Sequence, residues 1–156
     1  MFAKNGFKTV LIDLDSQCNL LRLALWEDFF ENDELKTKDI YAVLKWLIEW
    51  KSDINKEIEF AKIWENLFLL PWNIQLSKFE NLLATWFNEA SAWAIRWYTI
   101  TSAIDRFLKQ KWLYEEIDIF IIDTNPSLSQ LNKTIFLWTD YFVVPMNIQM
   151  HLIINE

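Results

Sequence analysis

The sequence predicts an α/β fold, a doubly wound and mostly parallel sheet with helices on both faces. Three observations support this prediction. Short apolar runs at Val10–Ile12, Ile119–Ile122 and Tyr141–Val144 have the uninterrupted hydrophobicity of strands that are buried on both faces. Amphipathic stretches separate these runs, and aspartates directly follow the first two. Strands that alternate with helices favour a parallel sheet with right-handed crossover connections.

The predicted elements follow one another in a regular order. A weaker fourth strand is predicted at Leu67–Leu70, where Pro71 ends it. Thr37 and Ser52 are suitable N-caps for two helices, because their hydroxyl groups can accept hydrogen bonds from free backbone amides. The apolar periodicity predicts helices over residues 37–48, 52–63, 77–86, 99–110 and 127–138.

Length and composition limit the classes of protein to which the chain can belong. Its 156 residues are enough for one domain with a sizeable core. The net charge of −7 argues against a nucleic-acid surface within this segment. No apolar run approaches the roughly 20 residues of a membrane span, so stable membrane insertion is not expected. The single cysteine, Cys18, excludes an internal disulfide and fits a reducing compartment, so we expect a cytoplasmic protein.

The glycine and tryptophan contents are abnormal. At the usual frequency of about 7%, a chain of this length would hold about 11 glycines, but it has one glycine and ten tryptophans. Trp72 follows a proline in a predicted turn, Trp112 stands where a helix is expected to end, and Trp46 and Trp50 bracket another helix end. Our hypothesis is that many of these tryptophans are glycines in the living protein, since some bacterial lineages read the UGA codon as glycine. The alternative is an aromatic-rich surface that binds sugars or peptides.

Three aspartates lie at the predicted carboxyl ends of strands, the edge at which open α/β sheets bind their ligands. Asp13 and Asp15 follow the first strand, and Asp123 follows the strand at 119–122. Carboxylates at strand ends suit a Mg²⁺ ion that is held largely through water beside nucleotide phosphates. Either motif alone is equally compatible with aspartates that cap the next helix. The two motifs together, in this order, are more specific for a nucleotide site.

The residues around these aspartates resemble the ParA/MinD family of deviant Walker A ATPases. The stretch VLIDLDSQCNL resembles the family segment V-L-L-I-D-x-D-P-Q-G-N, and IDIFIIDTNPSLSQLNKTIFLWTDYFVVPMNIQ resembles its Walker B region. The stretch NLFLLPWNIQLSKFE is similar to N-L-x-L-L-P-G-x-x-x-L, with Trp72 in the place of glycine. The resemblance covers nearly the whole chain, is closest to Soj-like ParA partition proteins, and implies a P-loop NTPase-like fold.

The resemblance assigns roles to individual residues. Asp15 matches the aspartate that positions or activates the attacking water, and Asp13 matches its acidic partner near the magnesium shell. Asp123 matches the Walker B aspartate, which holds Mg²⁺ through water. The loop that responds to the γ-phosphate matches Thr124, Asn125 and Pro126. The resemblance therefore implies ATP and Mg²⁺ as cofactors, with Asp13 and Asp15 catalytic and with Asp13 and Asp123 near the metal.

The chain also departs from the family pattern. Ser16 and Asn125 stand where proline is frequent, and Cys18 stands where glycine is usual, but none of these changes removes a charge that the chemistry needs. The phosphate loop, K-G-G-x-G-K-S/T, does not occur in these 156 residues, and the family's C-terminal portion is not matched. We therefore expect residues 1–156 to be a single partial domain, a ParA-like ATPase core that is incomplete at both ends and inactive alone.

The resemblance implies a role in chromosome or plasmid segregation. In the family, ATP binding closes a homodimer that binds DNA nonspecifically, here through regions outside this chain, and a ParB-like partner stimulates hydrolysis. The expected location is the cytoplasm, at the nucleoid.

Three alternatives remain open: a MinD-like ATPase that places the division site, a non-enzymatic α/β remnant that acts as an interaction module, and a receiver-like phosphoacceptor. The last requires a lysine at the end of a late strand, and FVVPMN has none.

Overall fold

The computed structural model describes residues 1–15, 17, 20, 23, 37–51, 53–88 and 94–145. Within these residues four strands form one sheet and five α-helices accompany it. In chain order the elements are β1 (Thr9–Asp13), α1 (Ile40–Ile48), β2 (Ala61–Trp64), β3 (Leu67–Leu70), α2 (Leu76–Asn88), α3 (Ala94–Thr101), α4 (Ala103–Glu115), β4 (Ile119–Asp123) and α5 (Gln130–Trp138).

The sheet is mostly parallel, as the sequence predicts. Its strand order is β2-β3-β1-β4, so β1 lies between two parallel neighbours. In the register, Thr9 lies opposite Leu67 of β3 and opposite Ile119 of β4. The strand pair β2–β3 is antiparallel. Because β1, β3 and β4 run in the same direction, their carboxyl ends lie at one edge of the sheet.

One hydrophobic core joins the five described helices to one face of the sheet. Successive strand residues point to opposite faces, and the fully buried Val10, Ile12 and Leu70 belong to the same cluster as the helical side chains. On the other face Leu69 is also fully buried, whereas Ile121 is 39% exposed. Both faces of the sheet thus carry apolar side chains, which agrees with the predicted α/β class. Within the described residues, no helix combines the length and apolar character needed to cross a membrane.

Two predicted elements are wrong. Residues 141–144 form no strand; their side chains are between 66% and 91% exposed. An extended segment becomes a strand only when a neighbour accepts its backbone hydrogen bonds, and within the described residues this segment has no such neighbour. The helix predicted over 52–63 is replaced by turns over the described residues 53–60 and by β2. Ile54 and Phe60 are both in the core, although a helix would place them about 120° apart around its axis.

The helix ends differ in detail from the prediction. The N-cap of α1 is Asp39 and not Thr37, because the Asp39 carboxylate accepts a hydrogen bond of 2.7 Å from the Ala42 amide. The proposed cap Ser52 lies outside the described residues. The helix predicted over 99–110 is two helices that meet at Ser102, whose hydroxyl donates to the Tyr98 carbonyl oxygen. Such back-bonding to the preceding turn bends helices.

Candidate functional site

The central strand pair brings the predicted aspartates together. Asp13 lies opposite Asp123 in the register between β1 and β4. The backbone amide of Leu14 donates a hydrogen bond of 2.9 Å to the Asp123 carbonyl oxygen, which continues the ladder past the end of β1. Asp13 is fully buried, Asp15 is 8% exposed and Asp123 is half-buried. The carboxyl edge of the sheet therefore holds these aspartates of two neighbouring strands side by side.

Two of these carboxylates also fix the turn that follows β1. An Asp13 oxygen accepts a hydrogen bond of 3.1 Å from the Asp15 amide, and an Asp15 oxygen accepts one of 3.0 Å from the Gln17 amide. Aspartates commonly order a turn in this way, through the backbone amide two residues further on. The two side chains are thus held in place by the backbone. The alternative interpretation, that the aspartates cap the next helix, is wrong for Asp123, because Ser129 is the N-cap of α5.

The site is electrostatically strained. Burial raises the pKa of the Asp123 carboxyl, the nearby Asp15 carboxylate raises it further, and a hydrogen bond from the Thr124 backbone offsets part of this effect. Two partly desolvated carboxylates repel each other when both are ionised. A bound cation would relieve this repulsion, and oxygen-rich groups of this kind suit Mg²⁺.

The three aspartates suit a cation that takes most of its ligands from water and phosphate and few from the protein. Among the described residues, no three acidic, histidine or cysteine side chains converge on one point as a direct metal-binding group. Mg²⁺ commonly binds proteins through one or two carboxylates and completes its shell with water and phosphate oxygens. The arrangement of Asp13, Asp15 and Asp123 is compatible with that mode of binding.

The loop after β4 carries the remaining predicted residues. Thr124 and Asn125 are half-buried and Pro126 is exposed. The Asn125 side-chain oxygen accepts hydrogen bonds of 3.1 Å from the Ser127 amide and of 3.1 Å from the side chain of Asn132. The sequence pattern did not single out Asn132. The only signal available there is an asparagine on the core-facing side of a predicted amphipathic helix.

The described surface includes a smaller and a larger depression. The smaller one, of about 100 Å³, contains Asn125 of the predicted site residues and none of the three aspartates; it is lined by Leu14, Trp72, Leu76, Ser77, Glu80, Asn125 and Leu131. The larger one, of about 560 Å³, is a shallow hollow along α4 that contains none of the predicted site residues. Its Arg106 is already paired with Asp53 through contacts of 2.6 and 2.8 Å. Of these two depressions, only the smaller one contains a predicted site residue, and Trp72 lines it where the resembling family has glycine.

Comparisons with known proteins agree with this fold. A family model described as an AAA domain matches residues 1–153. An uncharacterized protein of Methanocaldococcus jannaschii is 28% identical over 143 residues, which are 92% of this chain and 48% of that protein.

Solved structures resemble the chain over most of its length. A protein of Corynebacterium diphtheriae superposes with a TM-score of 0.78 at 25% identity, covering 89% of this chain and 49% of that one. A plasmid partition protein of Borrelia burgdorferi has a TM-score of 0.64 at 22% identity, covering 94% of this chain and 55% of that one. A candidate plasmid partition protein of Borrelia burgdorferi B31, solved with AMPPNP bound, has a TM-score of 0.54 at 23% identity. The match covers 89% of this chain and 49% of that one.

The two Borrelia likenesses establish the fold alone, because their identity is low. The chain spans about half the length of the proteins it matches. The family model, in contrast, spans nearly all of the chain. The chain therefore belongs to the AAA-domain family, in its ParA/MinD-type branch.

Proposed function

We propose that this chain is the central part of a ParA-like ATPase that couples Mg²⁺-dependent ATP hydrolysis to DNA segregation. One observation carries the proposal: Asp13 and Asp123 lie opposite each other at the carboxyl edge of the sheet, with Asp15 close enough to raise the pKa of Asp123. Open α/β sheets bind ligands at this edge. One of the similar structures contains AMPPNP, an ATP analogue, which supports a nucleotide as the ligand.

The described residues would divide the work at this site. Asp123, at the end of β4, and the buried Asp13 would hold Mg²⁺ through its water ligands. When bound, Mg²⁺ would neutralise the charge that develops on the phosphates. Asp15, whose backbone amide is fixed by Asp13, would orient the attacking water. The loop of Thr124, Asn125 and Pro126 would lie beside the phosphates, because it leaves β4 directly after Asp123.

The segregation role rests on family membership and on the likeness to plasmid partition proteins. It would require an ATP-dependent homodimer, nonspecific DNA binding through regions outside this chain, and a ParB-like partner that stimulates hydrolysis. These features belong to the whole protein, of which this chain matches about half. We expect that protein to act in the cytoplasm, at the nucleoid.

Mg²⁺-dependent ATP hydrolysis by the full-length protein tests this proposal. We expect Asp123→Ala to lower the rate by about 10- to 100-fold, since carboxylates that hold a metal through outer contacts have effects of this size. Asp118→Ala is the matched control. Asp118 is exposed at the opposite end of β4, where it accepts a hydrogen bond of 2.7 Å from the Lys8 amide. A full-length protein without Mg²⁺-dependent hydrolysis would instead favour the interaction module.

A further inference from the structure

We propose that Asn132 is a positioning residue that holds the loop after β4, residues 124–129, in the conformation that the nucleotide site requires. This inference rests on the proposed function and goes beyond it, because Asn132 lies on α5 and is not among the residues that the family resemblance assigns to the site. Its role follows from its contacts.

Asn132 forms hydrogen bonds with the loop at several points. Its side chain is 3% exposed. The side-chain amide donates hydrogen bonds of 2.7 Å to the Asn125 carbonyl oxygen, 3.1 Å to the Asn125 side-chain oxygen and 2.7 Å to the Ser127 carbonyl oxygen. Its backbone amide donates one of 3.2 Å to the hydroxyl of Ser129, the N-cap of α5. One residue thus fixes the middle of the loop and its junction with the helix.

The other hydrogen bonds at these residues are short-range: the Asn125 side-chain oxygen accepts from the amide and from the hydroxyl of Ser127. Pro126 has a backbone angle fixed by its ring, but its neighbours Asn125 and Ser127 have no such ring. Their carbonyl oxygens accept hydrogen bonds from the buried amide of Asn132. The donor is buried, whereas Asn125 is half-buried and Ser127 is exposed. If the donor were removed, both carbonyl oxygens could turn towards water, so the loop would no longer be held in this conformation.

The same loop carries groups of the candidate site. Asn125 lines the cavity beside Leu14. The loop begins at Thr124, directly after Asp123 at the end of β4. A displaced loop would move Asn125 in this cavity and the backbone that follows Asp123. Asn132 would therefore act on the site through the loop.

The experiment compares variants of the full-length protein in three measurements: kcat, the Mg²⁺ concentration for half-maximal rate, and the melting temperature. Asn132→Leu keeps the approximate volume but removes the donors, and Asn132→Asp replaces the donors with acceptors. Thr134→Val is the control, because Thr134 is 1% exposed on the same helix and its hydroxyl donates only within the helix, to the Gln130 carbonyl oxygen at 2.8 Å.

We expect both Asn132 variants to lower kcat by about tenfold or more and to raise the Mg²⁺ requirement, since small displacements of catalytic groups have effects of this size. Thr134→Val should lower the melting temperature with little change in either kinetic quantity. If Asn132→Leu lowers only the melting temperature, Asn132 is merely structural and the inference is wrong. If the wild-type protein hydrolyses no ATP, the proposed function fails, and the inference fails with it for that separate reason.

Discussion

Trp50 is the tryptophan whose backbone conformation fits its side chain least. It follows the end of α1 with a φ of 57°, in the left-handed region, and its side chain is 57% exposed. Helices commonly end with glycine in this conformation, because a residue with a Cβ is strained there. This geometry supports the hypothesis of glycine at position 50. Trp112 gives the opposite result: α4 continues through it to Glu115, and the left-handed residue is Glu116.

Trp50→Gly should stabilise the protein, and Trp112→Gly should not. We expect the first change to raise the free energy of unfolding by about 1 kcal/mol, because it removes the left-handed strain. The second should lower it by about 0.5 kcal/mol, because it places glycine inside an exposed stretch of helix. Urea unfolding of the two variants measures this difference in the free energy of unfolding. Each variant carries its single substitution in the present sequence, which has ten tryptophans. Equal losses of stability in both would contradict the structural argument for recoding at position 50.

The aspartates could be predicted from the sequence, whereas Asn132 could not. Asp13 and Asp123 directly follow uninterrupted apolar runs, so the local pattern places them at strand ends. Their pairing across β1 and β4 follows once both strands are parallel neighbours. The role of Asn132 depends on contacts with residues five and seven positions before it. Helical periodicity places Asn132 on the core-facing side of α5, but it does not show which loop groups the side chain contacts.

At the level of elements, the local pattern predicted the three strands that pair in parallel and missed the one that pairs only antiparallel. β1, β3 and β4 were each predicted to within one residue at each end. β2 was missed because its sequence has helical apolar spacing, while its antiparallel pairing with β3 supplies hydrogen bonds that the pattern cannot reveal. The segment 141–144 has strand composition but no partner among the described residues. Strand formation in both places depends on pairing and not on propensity.

The outer edge of β4 predicts the behaviour of the isolated chain. Within the described residues β4 pairs only with β1. Ile121 of β4 and the segment 141–144 also expose apolar side chains. Unpaired apolar edges promote association between copies. We expect the 156-residue chain expressed alone to be mostly insoluble, and the double change Ile121→Lys and Val143→Lys to raise the soluble fraction. A monomeric, soluble unmodified chain would contradict this expectation.

At the scale of the whole molecule, the sheet order explains why the site lies where it does. With β1 between β3 and β4, the turn after β1 and the loop after β4 leave the same edge, and each contributes a residue, Leu14 and Asn125, to the small cavity. The core on one face packs five described helices against the strands and keeps this edge in place. Two carboxylates that repel each other at this edge are consistent with a site that is completed by a cation.

The central claim is that the carboxyl edge of β1 and β4 binds nucleotide and Mg²⁺. A crystal structure of the full-length protein with AMPPNP and Mg²⁺ tests it most directly. We predict that the metal lies beside Asp13 and Asp123, contacting them through water, with the phosphates next to the loop that Asn132 holds. AMPPNP bound elsewhere, for instance in the hollow along α4, or no binding at saturating concentration, would contradict the account.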